Sequence, residues 1–390
     1  MRRRALCGIL LALAPGLAAA QSVPVAEERP RARDLGLRIG LLEPGPRNAI
    51  TDVPGVRVGQ VTIRESENVR TGVTAILPHG GNVFREKVAA AVYVYNAFGK
   101  LVGSTQVQEL GQLETPILLT NTLSVWDVAA AMTDWMLERP GNEDVRSINP
   151  VVGETNDGWL NDIRGRHVKA EHVRRAIESA SEGAVEEGSV GAGAGTMAFG
   201  WKGGIGTSSR KAPVGKNRYM VGVLVQSNFG GSLTVDGVAV WRELQPPVER
   251  ADAPPAAQQQ KPKGGDGSCM MVVATDAPLD ARQLRRLAAR AVFGMARTGS
   301  SGSNGSGDFV IAFSTTRHIA ATVAVQPPGA AEAPVREDDL SPLFQAAIEA
   351  TEEAILNSML RATTVRGRDG HTAEALPIAE LREILSRHPR

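Results

Sequence analysis

A polar, glycine-rich stretch of this chain ends at Ser268 and leads directly into an apolar run. Residues 263–279 read KGGDGSCMMVVATDAPL. The run CMMVVAT (269–275) is apolar at nearly every position, and a short run of this kind bounded by turn residues is typical of a β-strand buried on both faces. The sequence therefore predicts a central strand at 269–275, with Gly267 and Ser268 where exposed chain enters the core.

The segment before Ser268 has the composition of exposed chain. Residues 245–267 read QPPVERADAPPAAQQQKPKGGDG, dominated by proline, alanine, glutamine and charged residues. Such a segment has too few apolar side chains to offset the entropy of ordering it. We predict a flexible exposed segment over 245–267, which does not need to separate two independently folded domains.

Short strands and amphipathic helices intermix along the rest of the chain. Strands are predicted at 56–63, 71–78, 88–97, 217–231, 309–315 and 318–325. Helices are predicted at 123–141, 170–183, 279–298 and 340–360. The buried face predicted for the helix at 279–298 comprises Leu284, Leu287, Ala288, Ala291, Val292 and Met295. Because few simple βαβ units occur, this order favours a layered α/β fold with mixed sheets over a Rossmann sheet.

The first twenty residues have the three-part pattern of a secretory signal peptide. MRRRALCGILLALAPGLAAA begins with arginines, continues with a short apolar run and ends in alanines. We expect removal of residues 1–20 and export to the periplasm. A retained anchor is the alternative, although the apolar run falls short of the roughly 20 residues that span a bilayer. No membrane contact is expected for the mature chain.

Charge and cysteine content narrow the classes of function. Loss of Arg2, Arg3 and Arg4 with the signal peptide lowers the net charge by three, from +1 to −2. A nearly neutral chain lacks the basic surface of a nucleic-acid-binding protein. Cys269 is then the remaining cysteine, so no internal disulfide is expected and stability must come from packing or assembly.

Familiar cofactor, metal and hydrolase motifs are incomplete in this sequence. GAGAGTMAFG (191–200) lacks the dinucleotide-binding spacing, and VGKN (214–217) lacks most of a phosphate-binding loop. The histidines form no HExxH spacing, and one cysteine cannot build a zinc site. No GxSxG motif is present, which argues against an α/β-hydrolase. We therefore expect neither a metal nor another cofactor.

Ser268 would become a complete nucleophilic unit if the chain were cut before it. Cleavage between Gly267 and Ser268 would leave a serine with a free α-amine beside its own hydroxyl. An α-amine has a reference pKa near 8, so one residue could supply both nucleophile and general base. The alternative is that Ser268 merely begins a strand, and local chemistry alone leaves both interpretations open.

Motifs along most of the chain carry a family resemblance. They comprise ITDVPGVRVGQVTI (50–63), RTGVTAILP (70–78), PVVGETNDGWLND (150–162), FGWKGGIGTSSR (199–210), VGVLVQSNFG (221–230) and the segment from GSCMMVVATD to SNGSGDFVIAFST (267–315). In this order, over roughly residues 36–365, the chain resembles the L-aminopeptidase D-amidase/esterase family, which includes the β-peptidyl aminopeptidases. Any one motif alone would be weak.

The resemblance implies a fold and a maturation step. Members of the family cut themselves before a serine or threonine, which here would give a larger chain, 21–267, and a smaller chain, 268–390. The implied fold is a four-layer α-β-β-α sandwich of N-terminal-nucleophile-hydrolase type, formed by both chains as one unit. The implied assembly is a homotetramer of two-chain units.

The resemblance also implies roles for individual residues. Ser268 matches the nucleophile, and Ser306 and Asp308 match a serine and an acid that contact the nucleophile and its amine. Asn228 matches the oxyanion donor, and Glu154 the carboxylate that binds the substrate's amine. Without the resemblance, Ser306 and Asn228 would be interpreted as turn residues and Glu154 as a loop charge paired with an arginine.

Three features depart from the family pattern. The segment before Ser268 is longer than expected, so it could be trimmed after the cut. Position 308 is Asp where some relatives have Glu, which shortens the arm of the carboxylate. Asn156 stands where some relatives have a tyrosine near the oxyanion.

The hypothesis is an exported, self-processing N-terminal serine aminopeptidase without a cofactor. Its substrates would be short peptides or amino amides with a free N-terminal amine, with β-amino acid residues preferred. The first alternative is an L-aminopeptidase with D-amino amidase and esterase activity. The second, from another class, is an uncut protein that binds peptides on the same scaffold.

Overall fold

A computed structural model describes residues 29–247, 267–320 and 335–388, with side chains omitted at 317–320. The expected signal peptide (1–20), most of the expected flexible segment (245–267) and the end of the strand expected at 318–325 lie outside the described residues. The strands, numbered in chain order, are β1 (Arg57–Glu65), β2 (Val69–Leu77), β3 (Glu86–Ala97), β4 (Leu101–Val102), β5 (Gln112–Leu113), β6 (Ile117–Asn121), β7 (Val151–Thr155), β8 (Met197–Ala198), β9 (Trp201–Lys202), β10 (Gly204–Val214), β11 (Asn217–Asn228), β12 (Ser268–Thr275), β13 (Gly307–Ala320), β14 (Val365–Arg366) and β15 (Thr372–Ala373).

The described α-helices pack against these strands. They are α1 (Ser104–Leu110), α2 (Val125–Leu137), α3 (Ala170–Glu178), α4 (Ala281–Arg297), α5 (Ser341–Leu360) and α6 (Ile378–Ser386). Helix α4 begins with a capping box, in which Asp280 accepts a hydrogen bond from the backbone N–H of Gln283 at 2.8 Å. Its predicted face is buried except at Val292, which is only half-buried.

Two sheets form the centre of the molecule. One has the strand order β1-β2-β6-β7-β4 and the other the order β10-β11-β12-β13-β3-β5. Both are mixed, because β6 pairs with β7 and β12 pairs with β13 in parallel while the other pairs are antiparallel. The prediction of mixed sheets is confirmed.

Three apolar clusters separate four layers. One lies between the sheets and takes side chains from both, among them Ile117, Leu119, Leu224, Met270 and Ile311. A second packs α2 and α3 against the first sheet, and a third packs α4, α5 and α6 against the second sheet. The layers therefore run α-β-β-α, as the resemblance implied.

Strand β12 is buried on both faces, as the sequence predicts. All eight of its residues are buried. Cys269, Met271 and Val273 belong to the cluster under the helices, while Met270, Val272 and Ala274 belong to the cluster between the sheets. The alternation follows from the two-residue period of a strand, and it places Ser268 at the entrance of the core.

Strand β13 merges two strands that the sequence analysis separates. The runs predicted at 309–315 and 318–325 lie in one strand as far as Ala320. Its pairing with β3 shifts register between Phe313 and His318. A β-bulge or similar irregularity breaks the apolar pattern without ending the strand.

Candidate active site

A cavity of about 330 Å³ opens at the N-terminal end of β12, where the strand begins with Ser268. Both sheets and the connecting loops contribute to its wall. The lining residues are Phe98, Lys100, Thr122, Glu154, Asn156, Trp159, Gly195, Met197, Asn228, Gly267, Ser268 and Gly305. The residues that the sequence analysis singled out and that meet in this one place are Glu154, Asn156, Asn228, Gly267 and Ser268.

Ser268 and Gly267 are held by strands on either side. Ser268 is the register partner of Asn228 in β11 and of Gly307 in β13, and it is 5% exposed. The backbone N–H of Gly307 donates to the carbonyl oxygen of Gly267 at 3.0 Å. A Cβ at position 267 would lie 2.4 Å from the carbonyl oxygen of Asn228 and 2.5 Å from Cα of Phe229. Only glycine fits there, because both obstacles are backbone atoms.

The side-chain amide of Asn228 has a fixed orientation. Its Oδ1 accepts a hydrogen bond from the backbone N–H of Met197 at 3.0 Å. The Nδ2 group of Asn228 is therefore the part of the amide that is available to a molecule in the cavity. No hydrogen-bond partner for Nδ2 is found within the described ranges. An N–H donor beside a serine hydroxyl is the arrangement that stabilises an oxyanion.

A buried lysine closes the loop that orients Asn228. Lys202 is fully buried, and its Nζ donates to the carbonyl oxygens of Gly193 at 2.8 Å and Gly203 at 2.7 Å. Lys202 is also the register partner of Met197 in the β8–β9 pair. The lysine thus joins both ends of the loop whose Met197 N–H holds Asn228.

Glu154 is a buried carboxylate at the end of β7. It is 3% exposed, and each of its oxygens accepts one hydrogen bond, Oε1 from the backbone N–H of Lys100 at 2.9 Å and Oε2 from the hydroxyl of Thr122. The ammonium of Lys100 lies 3.8 Å from Oε1. A desolvated carboxylate in a cavity favours a cationic ligand, because an isolated buried charge is costly.

Asp308 lies in β13, the parallel neighbour of β12, and Ser306 immediately precedes β13. The hydroxyl of Ser306 donates to Oδ1 of Asp308 at 2.9 Å, while Oδ2 of Asp308 is buried without a partner among the described residues. Asp308 is the register partner of Cys269 in β12, so its side chain shares the helix-facing side of the sheet. Burial raises the pKa of Asp308 to about 6, although hydrogen bonds from Ser306 and from the backbone of Cys269 oppose the rise.

Neither side chain of this pair is hydrogen-bonded to Ser268 within the described chain. Ser306 and Asp308 do not line the cavity itself. In an uncut chain the nitrogen of Ser268 is a peptide nitrogen, so an ammonium that Asp308 could attract is created only by cleavage. Their expected contact with the α-amine stays a prediction.

The chain that forms this cavity matches a known peptidase family. Residues 48–373 match Peptidase family S58. The chain belongs to this family. It is therefore a peptidase, and the resemblance found in the sequence is confirmed.

Individual relatives of this S58 peptidase cover nearly the whole chain. It is 45% identical to a β-peptidyl aminopeptidase, BapA, of Sphingosinicella microcystinivorans over 93% of each chain. Its structure resembles a β-aminopeptidase of Burkholderia sp., with a TM-score of 0.83, 41% identity and coverage of 92% of this chain and 99% of the other. It also resembles the L-aminopeptidase D-Ala-esterase/amidase of Ochrobactrum anthropi, described as a variant of the Ntn hydrolase fold, with a TM-score of 0.83, 38% identity and coverage of 92% and 99%. The expected fold type is confirmed.

Several cavity residues of this S58 peptidase were not singled out from the sequence. They include Lys100, Thr122, Trp159 and Met197. The ring of Trp159 stacks on that of His371 with centroids 3.8 Å apart, so the segment around β15 supports the cavity wall. Trp159 stands in the motif GETNDGW, which was the available signal for it. No local signal marks Lys100 or Thr122, which reach the cavity through tertiary packing.

Asn156 and Asp157 differ in environment although they are adjacent. Asn156 is exposed at the cavity, where its Oδ1 accepts from the backbone N–H of Gly158 at 2.9 Å. Asp157 is buried behind Gly195, and burial raises its pKa to about 7. Burial likewise lowers the pKa of Lys202 to about 7. Asp157 adjoins the loop 193–203 and Lys202 lies within it, and this loop contributes Gly195 and Met197 to the cavity wall.

The described residues contain neither a candidate transmembrane helix nor a candidate cluster of metal ligands. In that part of the chain, no helix combines the length and apolar content needed to cross a membrane. Within those ranges, no three His, Cys, Asp or Glu side chains are grouped as metal ligands would be.

Proposed function

We propose that this S58 peptidase is a self-processing N-terminal serine aminopeptidase that removes β-amino acid residues from short peptides and amides. The observation that carries the proposal is the convergence of Ser268, Asn228 and Glu154 on one cavity. A nucleophile, an oxyanion donor and a carboxylate for an ammonium are the three parts that an aminopeptidase of this type requires.

The first step is cleavage between Gly267 and Ser268. The hydroxyl oxygen of Ser268 attacks the carbonyl carbon of Gly267, the C–N bond breaks, and the nitrogen takes up a proton. Water then hydrolyses the resulting ester, which leaves a carboxylate on Gly267 and a free amine and hydroxyl on Ser268. The tight fit of Gly267 against Asn228 and Phe229 supports this step, because it fixes the scissile carbonyl.

The mature enzyme then uses Ser268 for substrate turnover. Its α-amine accepts the hydroxyl proton, and the oxygen attacks the substrate carbonyl. The amide of Asn228 stabilises the oxyanion. The leaving amine departs with the returned proton, and water releases the acyl group. Glu154 binds the substrate's ammonium, while Ser306 and Asp308 orient the amine of Ser268.

The proposed substrate preference is based on the chain's similarity to named relatives. The identity of 45% to a β-peptidyl aminopeptidase supports β-amino acid substrates. The similarity to an L-aminopeptidase D-Ala-esterase/amidase supports a second candidate, in which L-peptides and D-amides are cleaved. Turnover of β-alanyl, L-alanyl and D-alanyl p-nitroanilides separates the two. No release from any of them by correctly cut protein would favour a peptide-binding protein instead.

Export and assembly are part of the proposal. We expect removal of residues 1–20, location in the periplasm and a homotetramer of two-chain units. Cell fractionation with mass spectrometry of the mature N-terminus tests the first two, and light scattering of the purified protein tests the third. The same mass spectra show whether residues before Gly267 are trimmed after the cut.

The decisive experiment is intact mass measurement with N-terminal sequencing, on the wild type and on Ser268→Ala. We expect two chains in the wild type, the smaller beginning Ser-Cys-Met-Met, and one uncut chain in the variant. A wild type that remains a single chain after purification and prolonged incubation would contradict self-processing. Cleavage at another bond would remove Ser268 as the nucleophile.

A further inference from the structure

Lys100 places a second charge in the cavity, opposite in sign to Glu154. Its side chain is 42% exposed, whereas that of Glu154 is 2% exposed, and Nζ lies 3.8 Å from Oε1. This separation exceeds a hydrogen bond. Among the described residues, Glu154 is the one carboxylate within 4.0 Å of the Lys100 ammonium. The two groups therefore form an ion pair without a hydrogen bond.

The position of Lys100 is fixed by its backbone and leaves its side chain able to move. The backbone N–H of Lys100 donates to Oε1 of Glu154 at 2.9 Å. A Cβ at Gly99 would lie 3.1 Å from the ring of Phe309 and 3.3 Å from Cα of Gly307. The turn before Lys100 is thus pressed against the strand beside the nucleophile. The four-carbon stem of the lysine remains flexible, because within the described chain nothing beyond Glu154 holds its ammonium.

The two charges have a consequence for which substrates fit. A substrate ammonium bound to Glu154 would come close to the Lys100 ammonium, and two like charges near one carboxylate repel each other. An amide or ester substrate brings only the ammonium and leaves Lys100 unpaired. A dipeptide brings an ammonium and a carboxylate, so that each charge of the cavity gains a partner.

We propose that Lys100 is a specificity-determining residue that binds the free carboxylate of the leaving group, so that the enzyme prefers zwitterionic dipeptides to their uncharged amides. This inference rests on the proposed function, because it takes Glu154 as the site of the substrate amine. On substrate binding, the Lys100 ammonium leaves Glu154 and pairs with the carboxylate of the released amino acid. The bond cleaved and the steps of the reaction are unchanged.

The test compares two substrates that differ only in this carboxylate. We would measure kcat/KM for β-alanyl-L-alanine and for β-alanyl-L-alanine amide, by chromatography of the released β-alanine, with mature wild type, Lys100→Met and Lys100→Arg. The wild type should prefer the free acid. Loss of a charge-assisted hydrogen bond is worth about tenfold, so the acid-to-amide ratio should fall about tenfold in Lys100→Met. Lys100→Arg should keep most of the preference.

A matched control is available on the surface. Lys216 lies exposed in the turn between β10 and β11, far along the strand from Asn228. Lys216→Met removes the same charge without touching the cavity and should keep the wild-type ratio. Because Glu154 is held by the backbone of Lys100, Lys100→Met leaves that contact in place.

The outcomes separate this inference from the function on which it rests. Turnover of both substrates with an unchanged ratio in Lys100→Met would overturn the role of Lys100 alone. An equal rise in kcat/KM for both substrates in Lys100→Met would also overturn the role of Lys100, since it would show that Lys100 only competes with the substrate amine. A wild type that cleaves neither substrate after correct processing would overturn the proposed function, and this inference with it.

Discussion

Ser268 and Asn228 are register partners at the same end of the antiparallel β11–β12 pair. Each is the terminal residue of its strand, Asn228 the last of β11 and Ser268 the first of β12. Directly opposed residues in such a pair have Cα atoms about 4.5–5.5 Å apart. The sheet ladder therefore sets the spacing between the proposed nucleophile and the proposed oxyanion donor, and flexible loops do not.

Asn228→Ala should lower kcat strongly. Removal of one oxyanion donor typically costs about 10²–10³ in kcat, with a smaller change in KM because the donor acts mainly on the transition state. Steady-state kinetics on β-alanyl p-nitroanilide measure this, provided that mass spectrometry shows the variant to be cut. Asn217→Ala, at the exposed far end of β11, is the control. A kcat within about twofold of wild type would exclude Asn228 as the donor, since the expected loss is far larger.

Gly267→Ala should slow self-processing. The new Cβ would lie within 2.5 Å of backbone atoms of both Asn228 and Phe229, so the scissile carbonyl must shift. A misplacement of about 1 Å can cost about 10²-fold in rate. The fraction of cut chain is followed over time by intact mass. Gly183→Ala, where the nearest atom is 3.4 Å away, should process normally; equal rates in the two variants would refute the steric argument.

Glu154→Gln should raise KM for substrates with a free amine. The neutral amide keeps the shape but loses the charge, and a hydrogen bond to a charged group is worth about 1.5–3 kcal/mol, which corresponds to roughly 10–100-fold. The measurement is KM for β-alanyl p-nitroanilide above and below the pKa of the substrate amine. Glu109→Gln, on the exposed side of α1, serves as the control. An unchanged KM would place the substrate amine elsewhere.

Asp308 should make stability depend on pH. Burial raises its pKa from 3.8 to about 6, so the folded state holds the proton more tightly than the unfolded state. Its contribution is complete below about pH 4 and is lost as the pH rises through about 6. Urea unfolding of Ser268→Ala and of Ser268→Ala/Asp308→Asn, both expected to be uncut, measures this. Between about pH 4 and about pH 6, the free energy of unfolding of the double variant should change less with pH than that of Ser268→Ala, by up to about 3 kcal/mol. The same pH dependence in both variants would contradict the shift in the pKa of Asp308.

Lys202→Met should reduce both stability and kcat. Methionine fills a similar volume but donates no hydrogen bond, so the carbonyl oxygen of Gly203 loses its donor while that of Gly193 keeps only Thr196. An unsatisfied buried group costs about 1–3 kcal/mol. Loosening the loop should also free Met197 and with it the amide of Asn228, so kcat should fall more than KM rises.

Thermal unfolding and kinetics together test the role of Lys202. Lys169→Met, at an exposed position before α3, is the control for loss of a lysine. A lower Tm with an unchanged kcat would show that Lys202 supports the fold alone and does not position Asn228.

Much of the fold could be predicted from local patterns. Strand β12 and helices α4 and α5 begin and end close to their predicted bounds, because their apolar patterns are long and regular. Strands β6, β7 and β10 and helices α1 and α6 are among the elements that the sequence patterns do not predict. Strand β7 (VVGET) and strand β10 (GIGTSSRKAPV) contain glycine, polar or charged residues that are buried here by tertiary partners, so their sequences lack a clean period.

The sequence by itself determined the position of Ser268, the burial of the strand after it and the set of motifs that identifies the family. These depend on residues that are neighbours along the chain. Only the tertiary structure decided that Glu154, from the other sheet, meets Ser268 in one cavity, that Lys100 faces Glu154, and that Lys202 holds the loop behind Asn228. The physical reason is that strand pairing, loop closure and the packing of the two sheets make these contacts. Contacts of these kinds leave no periodic signal in the segments that make them.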